Sequence, residues 1–233
     1  MLAHAIVYPA KGRSRSGRYR SGRFRKFVSE QQSHATNRHI RCSYIDGETP
    51  VNDDKNLAAR LSRDVHGTFP EVVSVYEDVV YSVALRTLNH SALATELTAD
   101  AFVRAYRALL GYETRRIAEL KLRPWLVTIV LNSCRNALRS SGHLQHTSLE
   151  HVPELESDKE SPEHAVERRD ERDRLAKALA ELPYPQRSAV VLRYVANLPY
   201  DEIALALRCP SGTAKSDVSR GLVRLRKILE RKK

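Results

Sequence analysis

Long hydrophobic runs are missing from this chain. No apolar stretch among its 233 residues approaches the roughly 20 that a membrane-spanning helix needs, and the N-terminus lacks the apolar segment of a secretory signal. Cysteine is scarce. Cys42, Cys134 and Cys209 make an odd set without a C-x-x-C pair, which points to neither a disulfide framework nor a zinc site. A reducing cytoplasm is the simplest compartment for such a chain, and no membrane insertion is expected. No sustained apolar/polar alternation runs through the sequence, so an all-α fold is expected. The constellations of catalysis are missing too: there is no nucleophile–base set, no phosphate-cradling glycine loop and no carboxylate cluster with metal-ligand spacing. His143, His146 and His151 match neither a helical nor a finger spacing. The expectation is therefore a protein that is not an enzyme and that carries no cofactor and no metal.

What the chain does have is positive charge. The net charge is +11 and the pI is near 9.8, values that suit a polyanionic partner. The charge is uneven. Residues 1–40 hold nine Lys/Arg against one acidic group, which accounts for +8 and leaves +3 for everything that follows. Residues 1–55 include KGRSRSGRYRSGRFRKF, rich in Arg, Ser and Gly and without an apolar period. Such a segment buries too little surface to offset the entropy of ordering and reads as a disordered basic extension.

The chain is organised around PYDEIALALRCPSGTAKSDVSRGLVRLR, residues 199–226. It reads as two helices with a tight turn. Ile203, Ala204 and Leu207 form the apolar stripe of the first, Pro199 suits its start, and Pro210 cannot continue it. Ser211 is a candidate N-cap for the second. There Ala214, Val218, Leu222, Leu225 and Leu229 define an expected buried face. Lys215, Ser216, Ser219 and Arg220 occupy the other side, with Val223 and Arg224 further along. Short polar and cationic groups early in a second helix are what a major-groove reader presents. Residues 210–233 carry eight Lys/Arg against Asp217 and Glu230, a local +6.

A first folded unit, 56–141, precedes this. Val72, Val75, Tyr76, Val79, Val80 and Val83 mark one helix, and Asn89-His90-Ser91 a break. A second helix over 94–110 turns Leu97, Ala101, Phe102, Ala105 and Leu109 inward and leaves Glu96, Asp100, Arg104 and Arg107 on its flanks. After a polar connector, 111–123, Pro124 opens a third helix with Trp125, Leu126, Ile129, Val130 and Ser133 inside. On it Asn132, Asn136 and Arg139 share a stripe at i, i+4 and i+7, able to hydrogen-bond base edges. Residues 142–173 read as a flexible acidic linker, since 150–174 hold ten acidic against five basic groups. A second unit, 174–233, opens with Leu175, Ala178, Leu179 and Leu182. A helix over 186–196 follows and leads into the two helices already described. The expected architecture is thus two small helical domains, the C-terminal one a helix-turn-helix.

Three stretches carry a family resemblance. ATELTADAFVRAYRAL (94–109) is similar to the helix of the first sigma domain that docks on the clamp helices of RNA polymerase. PWLVTIVLNSCRNALR (124–139) resembles the promoter-melting segment that reads the minus-ten element. ALAELPYPQRSAVVLRYVANLPYDEIALAL (178–207) with GTAKSDVSRGLVRLR (212–226) resembles the domain that reads the minus-thirty-five element. Together they resemble an extracytoplasmic-function (ECF) sigma factor of the sigma-70 family. The resemblance implies core RNA polymerase, promoter DNA and an anti-sigma factor as partners, and a place in the cytoplasm, on the nucleoid during initiation. It assigns polymerase docking to Asp100 and Arg104, with Ala99 where Gln is common. It assigns minus-ten contacts to Asn132, Asn136 and Arg139. It assigns minus-thirty-five contacts to Lys215, Ser216, Ser219 and Arg220, with phosphate contacts from Arg187 and Arg193. Asp217 stands in place of a usual Arg, and Pro199 in place of a usual Ser cap.

Two rivals share these motifs. One is a helix-turn-helix regulator that binds operators without polymerase. The other is a recombinase or transposase, which would need clustered acidic ligands or a Ser/Tyr nucleophile in the first unit; Glu96 and Asp100 lack a third partner there. A charge of only +3 beyond residue 40, and +5 from Asn56 onward, gives little standalone attraction to DNA. A chain starting at Asn56 should therefore leave promoter DNA unshifted in a gel at physiological salt and shift it once core polymerase is added; a shift by the chain alone would favour the operator-binding regulator.

Overall fold

A computed structural model of the protein describes residues 51–140 and 162–231. The basic extension up to residue 50, the three spaced histidines and the first part of the acidic linker lie outside the described residues. Among the described residues all regular structure is helical, and these helices belong to one compact unit, residues 41–233.

Of the first five helices, the first, third and fifth pack around the second, and the fourth packs on the first. Helix α1 (Val51–Arg63) meets α2 (Val65–Leu88) at Asp64, whose carboxylate accepts the Gly67 N–H at 2.9 Å and caps α2. A Cβ on Gly67 would lie 2.2 Å from that carboxylate, so a side chain there would make the Asp64 carboxylate turn aside. Helix α2 buries Phe69, Val72, Tyr76, Val79, Val80 and Val83 and packs against α1, α3 and α5. Val75, expected in this stripe, is exposed. Asn89 ends α2 in the left-handed region, and the His90 ring caps α3 (Ser91–Leu109) through the Leu93 N–H. Ala94, Ala101, Phe102, Ala105 and Leu109 form the buried side of α3. The stretch read as a polar connector contains a short helix, α4 (Thr114–Ala118), anchored by the buried Ile117.

Helix α5 (Leu122–Ser140) starts two residues ahead of Pro124 and buries Leu126, Val130 and Ser133 as expected, with its inner face rotated away from Trp125 and Ile129. Leu122, Leu126, Val127, Val130, Leu131, Ser133 and Cys134 are buried, while Trp125 and Ile129 are only half-buried. Trp125 and Ile129 thus lie on the partly exposed side, in line with Asn132 and Asn136 at helical spacing.

Helix α6 (Pro162–Ala180) begins well inside the stretch expected to be a flexible linker. Pro162 at the first helical position, Glu163 near the positive end of the helix dipole and a run of Glu, Arg, Ala and Leu all favour helix there despite the charge. Its C-terminal end supplies Ala178 and Leu179 to an apolar cluster with Leu182, Val190, Leu225 and Ile228. Helix α7 (Tyr184–Tyr194) is followed by Asn197 in the left-handed region, then by α8 (Tyr200–Leu207) and α9 (Ser211–Arg231). The turn between α8 and α9 is made by Arg208, also left-handed (φ 55°), with the Cys209 N–H returning to the Ala204 carbonyl at 3.0 Å. Ser211 is the first residue of α9 rather than a side-chain cap; its hydroxyl donates to Asp201 across the turn at 2.8 Å.

The buried side of α9 consists of Ala214, Asp217, Val218, Gly221, Leu225 and Ile228. Leu222, expected inside, is exposed, and Gly221 takes the inner position. A Cβ at Gly221 would stand 2.7 Å from Val190 Cγ2 and 3.2 Å from the Gln186 carbonyl oxygen, so α7 and α9 cross with almost no space between them. Gly221→Ala should therefore destabilise the protein despite the better helix propensity of alanine, by about 1–2 kcal/mol after overpacking and propensity are set against each other. Thermal denaturation followed by circular dichroism would read this as a melting point lowered by several degrees.

Candidate nucleic-acid interface

Helix α9 presents one continuous polar face. Lys215, Ser216, Ser219 and Arg220 are all exposed, one turn in from its N-terminus, while Ala214 and Val218 anchor the helix from behind. The Ser216 hydroxyl donates to the Gly212 carbonyl at 2.8 Å, one turn back. Arg220 is 62% exposed at its side chain and donates to Asp217 at 3.0 Å. Asp217 lies on the buried side of the helix, not on the polar face, so it acts on this surface through Arg220. The short reach of the pair fixes one edge of the guanidinium and leaves the rest facing solvent.

Arg187 and Arg193 are placed differently. The Arg187 guanidinium donates to the carbonyls of Thr87 at 2.8 Å, Ala180 at 2.8 Å and Leu182 at 3.0 Å. Burial pulls its pKa down from the usual arginine range, with Tyr184 opposing. Arg193 donates to the Leu198 carbonyl at 3.1 Å and lies over the Tyr200 ring, 5.3 Å from its centroid. Both are only partly accessible and are occupied with backbone carbonyls, so a phosphate would have to compete for them.

On α5, Asn136 and Arg139 are exposed and Asn132 half-buried on one stripe. Near the start of this helix, Tyr112 and Trp125 are 6.2 Å apart between ring centroids, and the Arg116 guanidinium lies 3.7 Å above Tyr112. This aromatic and cationic group continues the polar stripe toward α4; spacing along one helix could not show it, because Tyr112 and Arg116 come from the connector. On α3, Asp100 and Arg104 pair with each other at 2.7 Å, both substantially exposed. A surface pair at i, i+4 contributes about 0.3–0.5 kcal/mol, little enough for a partner surface to replace it. Ala99 is partly exposed beside them.

The two helical groups touch. Besides the Arg187–Thr87 bond, the Lys121 ammonium meets Glu202 of α8 at 2.7 Å, the Tyr184 hydroxyl donates to the Leu131 carbonyl at 3.4 Å, and the Arg135 guanidinium lies 5.5 Å from the Tyr184 ring centroid. Between α5 and the helix-turn-helix is a cavity of about 400 Å³, lined among others by Arg135, Arg139, Tyr184, Leu207, Cys209 and Asp217.

Family comparison agrees with this division. Residues 72–143 match the model of sigma-70 region 2, and residues 172–225 that of sigma-70 region 4. The chain is 32% identical over 162 residues to the RNA polymerase sigma-E factor of Streptomyces avermitilis, covering 70% of this chain and 85% of the relative. It is 27% identical over 183 residues to the ECF RNA polymerase sigma factor SigW of Bacillus subtilis, covering 75% and 96% respectively. Among solved structures, the fold is similar to the sigma factor RpoE of Bartonella quintana in a co-crystal with the anti-sigma factor NepR. The TM-score is 0.52 at 23% identity, over 70% of this chain and 96% of that one.

Neither described thiol is activated. Burial pushes the Cys134 thiol up to about 12, and Cys209 is raised by burial and by the nearby Asp217 carboxylate. At pH 8 only roughly 10⁻⁴ of Cys134 would be thiolate, and the thiolate is the reactive form. The folded protein treated with iodoacetamide at pH 8 should leave Cys134 unmodified in tryptic-peptide mass spectra, whereas the same treatment in guanidinium should label it fully.

Proposed function

Because the chain belongs to the ECF branch of the sigma-70 family, and so is a sigma factor that works with core RNA polymerase at promoter DNA, we propose the following division of labour among its residues. The exposed side of α3, with Asp100 and Arg104, docks on the polymerase clamp helices. The stripe Asn132, Asn136 and Arg139 on α5 holds the unstacked non-template strand of the minus-ten element. Carboxamides there bond base edges, and the guanidinium bonds the backbone. The face Lys215, Ser216, Ser219 and Arg220 on α9 enters the major groove of the minus-thirty-five element. The observation that carries this reading is the α9 face, where four polar or cationic side chains stand exposed on a helix that packs tightly on α7 at Gly221.

Arg193 and Arg187 are the proposed phosphate contacts, each reaching a phosphate by giving up a backbone carbonyl, that of Leu198 for Arg193 and that of Thr87 for Arg187. Opening of DNA by such a protein is capture of a base already unstacked, so no catalytic group of its own is required. Bond-making belongs to the polymerase, in the cytoplasm. An anti-sigma factor is the proposed controlling partner, by likeness to the RpoE–NepR complex.

Run-off transcription with core polymerase over a promoter library tests the reading. Lys215→Ala and Arg220→Ala should each weaken transcription from the cognate promoter, with roughly 1–3 kcal/mol of lost discrimination where either makes a bidentate base contact. Unchanged transcription in both would remove α9 as the reader. Asn132→Ala should change the minus-ten preference while core polymerase is still bound; loss of polymerase binding would make it a packing residue instead.

A further inference from the structure

One apolar side chain stands in the middle of the polar face of α9. Val223 is 56% exposed and lies off the buried side of the helix. It follows Ser216, Ser219 and Arg220 at helical spacing, so that the four residues form the series i, i+3, i+4 and i+7. That is the spacing at which a helix lying in the major groove meets successive base edges. From first to last the series runs about 10.5 Å along the helix axis, a length that a groove about 12 Å wide accommodates.

The neighbours of Val223 on the helix surface are the residues three and four positions away: Ser219 and Arg220 on one side, Arg226 and Lys227 on the other. All four are exposed. A valine ringed by three cations and a hydroxyl is poorly suited to the core of a protein interface, because covering it would take the cations out of water as well. Duplex DNA receives the two kinds of group separately. Its phosphates line both walls of the groove and draw Arg and Lys outward, while the apolar group on its floor is the C5-methyl of thymine. Valine also suits such a contact. It is β-branched and holds essentially one χ1 rotamer in a helix, so covering it costs little side-chain entropy. Helix propensity gives no reason for it at this position, since alanine is the better helix former.

We propose that Val223 is a further base-reading position of α9 and selects a thymine in the minus-thirty-five element by contact with its C5-methyl. This rests on the reading role given to α9 above and extends it from hydrogen bonds to an apolar contact.

The methyl can be removed from the DNA alone, because deoxyuridine pairs as thymine does. The full-length chain is bound to core polymerase and presented with the promoter recovered from the library. Each thymine of the minus-thirty-five element, on either strand, is replaced singly by deoxyuridine. Promoter-complex formation should weaken about threefold to fourfold at one of these positions, the effect of one methyl group left in water. The Val223→Ala holoenzyme should bind the unmodified promoter more weakly by a similar factor and show no further loss at that position. The side chain is exposed and alanine favours helix, so the variant keeps its fold. In the library, Val223→Ala should relax the preference for thymine at that position and leave the rest of the element unchanged.

An element with no A·T pair overturns the proposal, and so does a deoxyuridine effect that is the same with valine and with alanine at every position. Loss of core-polymerase binding by Val223→Ala, with the promoter preference unchanged, assigns the side chain to a protein interface and overturns it too. Failure of the underlying reading looks different: Lys215→Ala and Arg220→Ala would then leave transcription unchanged. Weakened transcription in those two, without a deoxyuridine effect that depends on Val223, removes the thymine contact alone.

Discussion

Three carbonyl oxygens gathered by one guanidinium hold this molecule in its observed shape. Arg187 is drawn partly out of water by α2, the end of α6 and the loop leading into α7, and its two terminal nitrogens offset that burial through three carbonyls, while its buried Nε has no partner. Two of its bonds fix the loop 181–183 between α6 and α7, where Pro183 and the helix ends leave carbonyls without helical partners. The third ties this corner to α2. The geometry of the helix-turn-helix relative to the first helical group therefore passes through a side chain that takes no part in the polar face of α9.

The charges on the working surfaces are tempered in the same way. Arg220 shares its guanidinium with Asp217, Arg104 shares its own with Asp100, and Lys121 is matched by Glu202. Each pair reduces the field that would draw the isolated protein to any duplex, while leaving donors that can form directed bonds once a partner is near. A protein arranged in this way gains little from bulk attraction and more from being positioned. That fits a chain whose large positive charge is concentrated in its first forty residues.

Much of the architecture is legible in the residues alone. Lys215, Ser216, Ser219 and Arg220 can be assigned to one side of a helix because Ala214, Val218 and Leu225 recur behind them. Asn132, Asn136 and Arg139 follow in the same way from α5. The readings that differ from the structure have specific causes. Gly221 looks like a weak point in a helix, yet it lies inside because α7 approaches too closely for any Cβ, and Leu222 is turned outward as a result. Asp217, noted in the sequence only for replacing a usual Arg, lies on the inner side with Arg220 as its partner. Trp125 and Ile129 look like core and instead continue the stripe of Asn132 and Asn136. The acidic stretch after Pro162 looks like coil, but its composition favours a helix. The bond from Arg187 to Thr87 has no sequence signal at all, since its partners are a hundred positions apart and one of them is a backbone atom.

The hydroxyl of Ser216 illustrates how a small local bond can restrict what a surface recognises. Its proton is given to the Gly212 carbonyl, so what remains toward solvent is a pair of lone pairs and no donor. In that rotamer the side chain can only accept, and the base edges that complement it are the exocyclic amines of adenine and cytosine; the carbonyls of guanine and thymine would meet lone pair against lone pair. Under the base-reading role proposed for α9, a bond one turn back along the helix would act as a filter on the letters of the genetic text.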